Sequence, residues 1–155
     1  MSLSAAARQM SEARRELHSA PPPDAATVFL SYASIDRSHI EALASFIEVS
    51  GYTVWWDRSI DPGEFFNDRI AKSIDASFAV VVLWSKHSTI SRWVNWEARR
   101  GLSQNKLIPV ATLELKFDDL WPPFGDLNTL RLDDRDRLLA ALRRLSEKGS
   151  LGRGT

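Results

Sequence analysis

Residues 77–84, SFAVVVLW, constrain the fold more than any other stretch of the chain. A half-buried strand alternates apolar and polar side chains; this run does not alternate. Unbroken apolarity over a strand's length implies burial on both faces, as in the centre of a parallel sheet. Parallel strands need long crossovers, and the flanking sequence supplies them. TVFLSY (27–32) and YTVWW (52–56) read as earlier strands, KLIPVATL (106–113) as a later one and DLNTLRL (126–132) as a last short one. Pro109 argues for an outer position for its strand, because proline cannot donate to a ladder. Between the strands lie helical patterns. SHIEALASFIEVSG offers a capping box (Ser38 with Glu41), Ile40, Leu43 and Ile47 on one face, and Gly51 as a stop. The next helix carries Phe66, Ile70 and Ile74 inward, and the last carries Leu138, Leu142 and Leu145. Strand and helix alternate about five times, too widely for hairpins. The predicted class is α/β: a flavodoxin-like, doubly wound, five-stranded parallel sheet with helices on both faces.

Three prolines at 21–23 interrupt the chain before this pattern begins. Residues 1–25 are expected to be a partly helical linker, or the end of a preceding segment, closing in a Pro-rich spacer. The domain is assigned to 26–148 and a flexible tail to 149–155. Twenty basic and twenty acidic residues cancel, so no net field favours nucleic acid or an anionic membrane. With no cysteine there are no disulfides, thiolate metal sites or thiol nucleophiles, which fits a cytoplasmic protein. No apolar run approaches the roughly 20 residues of a membrane span.

In open doubly wound sheets, ligands bind beyond the carboxyl ends of the strands where strand order reverses. For the order 2-1-3-4-5, that crevice lies between SYAS (31–34) and SKHSTISRWVNWE (85–97), with DRSIDPGEFF (57–66) able to reach over it. Neither a Rossmann glycine fingerprint nor a P-loop is present. The three histidines lack metal-ligand spacing, so no metal is expected. Acidic residues that would hold magnesium in a phospho-accepting domain are missing from both strand ends.

What remains is Glu97 beside aromatic residues. Trp93 is four residues earlier and shares its helical face. A carboxylate in such a setting can stabilise the oxocarbenium-like centre left when a cationic group departs from a ribose. Plainer readings stand beside this one. Glu97 suits the first half of a helix and could pair with Arg100 or Arg99. Trp93 or Trp96 is a natural core residue, since one helix face must cover the sheet. At least one of Trp55 and Trp56 should be core. Asp57 could cap a turn, and DPG needs only to be one.

Taken together, VFLSYASID, YTVWWDRSIDPGEFF, FAVVVLWSKHSTISRWVNWE and KLIPV resemble the TIR (Toll/interleukin receptor) domain in its bacterial branch, over roughly residues 26–147. FLSYAS is similar to its first box. DRSIDPGE is similar to its BB loop, with Ser59, Ile60 and Asp61 where Arg-Asp is customary before Pro-Gly. SRWVNWE is similar to the W-x-x-x-E stretch, and the Phe-Trp third box of animal receptors has no counterpart. The resemblance implies an NAD+ nucleosidase that releases nicotinamide and forms ADP-ribose or a cyclic isomer, with NAD+ as substrate and no cofactor. Glu97 would then be catalytic, and Tyr32, Ala33, Trp56, Asp57 and Trp93 would contact substrate. The BB loop, Arg58, Ser59, Ile60, Asp61, Pro62, Gly63, Glu64 and Phe65, would mediate self-association, on which activity would depend. The alternative it implies is a non-catalytic module that binds other TIR domains, host adaptors included, and interferes with innate immune signalling; delivery into a host cell would accompany that role.

Overall fold

The computed structural model describes residues 23–56 and 66–153. Five parallel strands form one sheet: β1 (Thr27–Ser31), β2 (Thr53–Trp55), β3 (Ala79–Trp84), β4 (Leu107–Ala111) and β5 (Leu130–Arg131), in the order β2-β1-β3-β4-β5. The helices are α1 (Arg37–Val49), α2 (Phe66–Ala76), α3 (Arg92–Ser103) and α4 (Arg135–Arg153). This is the doubly wound class read from the sequence.

The unbroken apolarity of β3 has the expected cause. Ala79, Val81 and Leu83 face α1 and α4, where Ile40, Leu43, Ile47, Leu138 and Leu142 pack. Val80 packs with Ile70 and Ile74 of α2, while Val82 and Trp84 pack with Val94 and Ala98 of α3. Each fully buried aliphatic side chain contributes roughly 1.5–3 kcal/mol. Leu145 is half-buried against the α1/α4 layer. Phe29 of β1 stacks on Trp55, ring centroids 5.1 Å apart, on the α2 side, whereas Trp56 packs on the α1 side. The tryptophan pair thus straddles the edge strand, each half-buried.

Several local expectations change. Helix α1 starts at Arg37, with Asp36 in the N-cap position, so Ser38 and Glu41 form no capping box. The short 3-10 turn Ser34–Asp36 starts the helix early, leaving Ser38 exposed in the first turn and Glu41 paired with Arg37 at 3.2 Å. Gly51 does end α1: it takes φ +104°, its N–H donates to Glu48 O and that of Tyr52 to Ile47 O, a Schellman closure that its lack of Cβ favours. Strand β4 is not at the edge. Lys106 O accepts from Val80 N–H and Thr112 N–H donates to Trp84 O, so alternate residues of β4 serve β3 and the intervening ones face β5. Pro109 belongs to the latter set, and pairing with β5 begins only at Val110, so the missing N–H costs no ladder bond. The expected tail is helical through Arg153.

Candidate functional site

Strand β1 ends at Ser31 and β3 at Trp84, side by side at the reversal of strand order. Alternation along β1 places Ser31 on the same face as Phe29, toward α3. Helix α3 is fixed there by its own start. Ser91 accepts from Val94 N–H at 3.3 Å as N-cap, and Asn95 Nδ2 donates to Thr89 O and Ser91 O at 3.1 and 2.8 Å. Further on, Gly101 lets the helix lie almost against β3; a Cβ there would sit 2.9 Å from Val80 Cβ. Between these anchors, Glu97 points at the end of β1, where Ser31 Oγ donates to Oε1 at 2.7 Å.

The carboxylate is at the predicted crevice but is sealed: Glu97 is 0% exposed. Glu97, expected at the crevice, is covered where α3 lies close against β3. Nor does Glu97 pair with Arg100. That guanidinium goes to Asp75 instead, with bonds of 2.9 and 2.8 Å. Trp93 and Trp96 are not core residues; they are 46% and 36% exposed and meet edge-to-face at 6.2 Å. The large core residue on this face is Trp84, with Phe124 at 5.0 Å, so α3 can cover the sheet with the small side chains Val94 and Ala98.

Tyr32 and Ala33 follow β1 directly and are half-buried. The Tyr32 hydroxyl donates to Trp56 O at 2.8 Å, tying the ends of β1 and β2 together. The Arg37 guanidinium lies 5.1 Å from the centre of the Trp56 ring. Tyr32 and Trp56 therefore meet at the ends of β1 and β2 on the α1 side of the sheet, with Ala33 next in the chain, whereas Glu97 bonds Ser31 between β1 and α3, with Trp93 one turn earlier on α3. Asp57 and the loop from Arg58 to Phe65 lie outside the described residues. A hollow of about 500 Å³ lined by Lys86, Leu115, Asp119 and Trp121 opens beyond β3, and none of the predicted site residues lines it.

Sequence reasoning missed the serines. Ser31, Ser85 and Ser88 are buried, and each bonds a side chain or main-chain group at the crevice. The available signal was a hydroxyl immediately after each apolar run, FLS and LWS, where ligand-binding loops begin.

A doubly wound parallel sheet of order 2-1-3-4-5, with its crevice at the β1–β3 reversal, is the flavodoxin-like α/β class of fold. The chain belongs to the TIR domain family, whose model matches residues 28–146. It is similar to the Stimulator of interferon genes protein of Magallana gigas, 31% identical over 114 residues, covering 68% of this chain and 28% of that one. It is also similar to the probable 2' cyclic ADP-D-ribose synthase TcpO of Methanobrevibacter olleyae, 27% identical with coverage of 79% and 39%. A third relative is the NAD(+) hydrolase PdTIR of Paracoccus denitrificans, 35% identical with coverage of 50% and 26%. Among solved structures, a metazoan TIR-STING receptor from C. gigas in complex with 2',3'-cGAMP matches with a TM-score of 0.65 at 28% identity, covering 81% of this chain and 40% of that chain. The chain thus spans well under half the length of these relatives. Among the described residues, no helix is long and apolar enough to cross a membrane.

Proposed function

We propose that this domain cleaves NAD+ at the bond between nicotinamide and ribose. The observation that carries the reading is Glu97, held by the Ser31 hydroxyl at the β1–β3 switch point. Two relatives are named for NAD+ hydrolysis and for cyclic ADP-ribose synthesis, which supports the same chemistry. In the reaction the C1′–N bond breaks and its electron pair leaves with neutral nicotinamide. The positive charge left on C1′ and the ring oxygen is stabilised by the Glu97 carboxylate. Water adds to C1′ and loses a proton, giving ADP-ribose; attack by a nucleophile of the same molecule, again with proton loss, gives a cyclic isomer. Tyr32, Ala33, Trp56 and Trp93 shape the site, and no metal is needed.

Because Glu97 is sealed in the single chain, substrate entry requires the crevice to open, and self-association is the proposed trigger. Glu97→Gln keeps the shape and an oxygen to accept from Ser31. It should lower kcat for nicotinamide release by about 100-fold or more with the fold retained by circular dichroism. Equal turnover by this variant and the parent would remove Glu97 from the mechanism. The same burial favours a second reading, an assembly module without turnover in which Glu97–Ser31 is a structural pair and the partner is another TIR domain, a host adaptor included. No nicotinamide release from concentrated parent protein, together with capture of such a partner, would favour that module.

A further inference from the structure

Asp36 is a carboxylate that none of the chemistry above uses, and it is only 6% exposed. It occupies the N-cap position of α1, where aspartate ordinarily accepts from the helix's own first amides and contributes about 1 kcal/mol. Here its side chain makes no cap bond. It turns across the crevice instead, and Ser85 Oγ donates to Oδ2 at 2.5 Å, within the range of a hydroxyl bound to a charged oxygen.

The direction of that bond follows from counting protons. The Ser85 oxygen accepts from the N–H groups of His87 and Ser88, both at 3.1 Å, so its two acceptor sites are used. Ser88 Oγ accepts from Ser85 N–H and donates to Leu83 O, each at 2.7 Å. The turn after β3 is thereby closed on itself, with the Ser85 proton left for Asp36. On the other side, Asp36 N–H donates to Ala33 O at 2.8 Å. Asp36 is the only buried residue of the 3-10 turn Ser34–Asp36, and Ile35 is 66% exposed, so no apolar anchor holds that turn.

We propose that Asp36 is a positioning residue: through Ser85 it locks the turn after β1 to the turn after β3, and so fixes Tyr32 and Ala33 for binding NAD+. This rests on the reading of the crevice as the NAD+ site. The Asp36 carboxylate touches no substrate. Its loss would let the β1 turn drift away from the rigid β3 turn, weakening binding more than the chemical step.

The test compares Asp36→Ala, Asp36→Asn, Ser85→Ala and the Asp36→Ala/Ser85→Ala double variant with the parent, at concentrations where the parent turns over, with KM and kcat measured separately and NAD+ affinity taken by calorimetry. Asp36→Ala should raise KM about tenfold with kcat within about threefold. Asn retains an oxygen for the Ser85 hydroxyl and should restore KM to within about threefold of the parent. Ser85→Ala should match Asp36→Ala, and the double variant should be no worse than either single one. If Asp36→Ala does not fold, Ser85→Ala and Asp36→Asn decide alone. Unchanged KM and affinity in Ser85→Ala, or equal loss of kcat and affinity in both aspartate variants, would overturn the assignment. A parent that binds NAD+ without turning it over would sink the proposed catalysis only, and Asp36 would then be judged on dissociation constants. A parent that does neither would sink both.

Discussion

At the scale of single residues, burial makes hydrogen bonding decisive. Glu97 has no contact with bulk water, so each group aimed at it counts more than at the surface. Removing the Ser31 hydroxyl leaves one carboxylate oxygen without this donor. Ser31→Ala should lower kcat about tenfold, equivalent to roughly 1.4 kcal/mol of barrier, with a smaller effect on KM; steady-state assays of nicotinamide release check it. The opposite case is Thr112, 1% exposed, whose Oγ1 has no hydrogen-bond partner among the described residues. A buried hydroxyl in that state costs about 1–3 kcal/mol, and valine fills nearly the same volume. Thr112→Val should therefore raise stability by about 1 kcal/mol and Tm by a few degrees, measurable by thermal unfolding. Neither residue announces itself in the sequence. A serine at a strand end and a threonine after a strand look like ordinary turn residues until their neighbours are known.

Among the elements, the seam between α2 and α3 sets where Glu97 lies. Gly101 permits the close approach to β3, and Val80 Cβ cannot swing away from a new methyl group. Gly101→Ala should destabilise the domain by about 1–3 kcal/mol and lower activity by displacing Glu97 one turn away; Val80→Ala in the same chain should recover part of both losses. Polar groups close the outer end of the seam. Arg100 and Gln104 bind Asp75, and the Lys106 ammonium donates to the carbonyls of Ile74 and Ser77 at 2.7 and 2.6 Å, capping the end of α2. Burial pushes the Lys106 ammonium below the usual lysine range, opposed by the Asp75 charge. The hydrogen bond from Arg100 holds the Asp75 carboxyl below its ordinary 3.8. A lowered carboxyl contributes stability that is complete above 3.8 and lost as pH falls through the lower folded value. Asp75→Asn should flatten that acid limb, and because the pair is largely exposed the difference should shrink in high salt; melts from about pH 5 to pH 2 at two ionic strengths check both.

For the molecule as a whole, the proposed catalysis by a carboxylate sealed at the β1–β3 crevice of one chain predicts concentration-dependent turnover. Nicotinamide release per protomer should rise with protein concentration and reach a plateau as assembly saturates; a rate strictly proportional to concentration, with full activity in dilute monomer, would contradict this. The architecture itself was legible because it rests on periodicity. SFAVVVLW could lie only where both faces are covered, and Ile70 with Ile74, or Leu138 with Leu142, could meet a sheet only from one helical face. The position of Glu97 beyond β1 followed from strand order, which the alternation of strands and helices implied. Its surroundings did not follow. The capping box, the core place of Trp93 or Trp96 and the Glu97–Arg100 pair were local expectations that neighbouring structure displaced: the 3-10 turn Ser34–Asp36 starts α1 early, Trp84 fills the space under α3 and Asp75 takes Arg100. The sequence by itself determined the layers and the strand order, since these depend on repeating apolar patterns that the chain carries locally. Only the tertiary structure decided which hydroxyl meets which carboxylate and that the crevice is shut, since those depend on angstrom-scale distances between residues up to 66 positions apart.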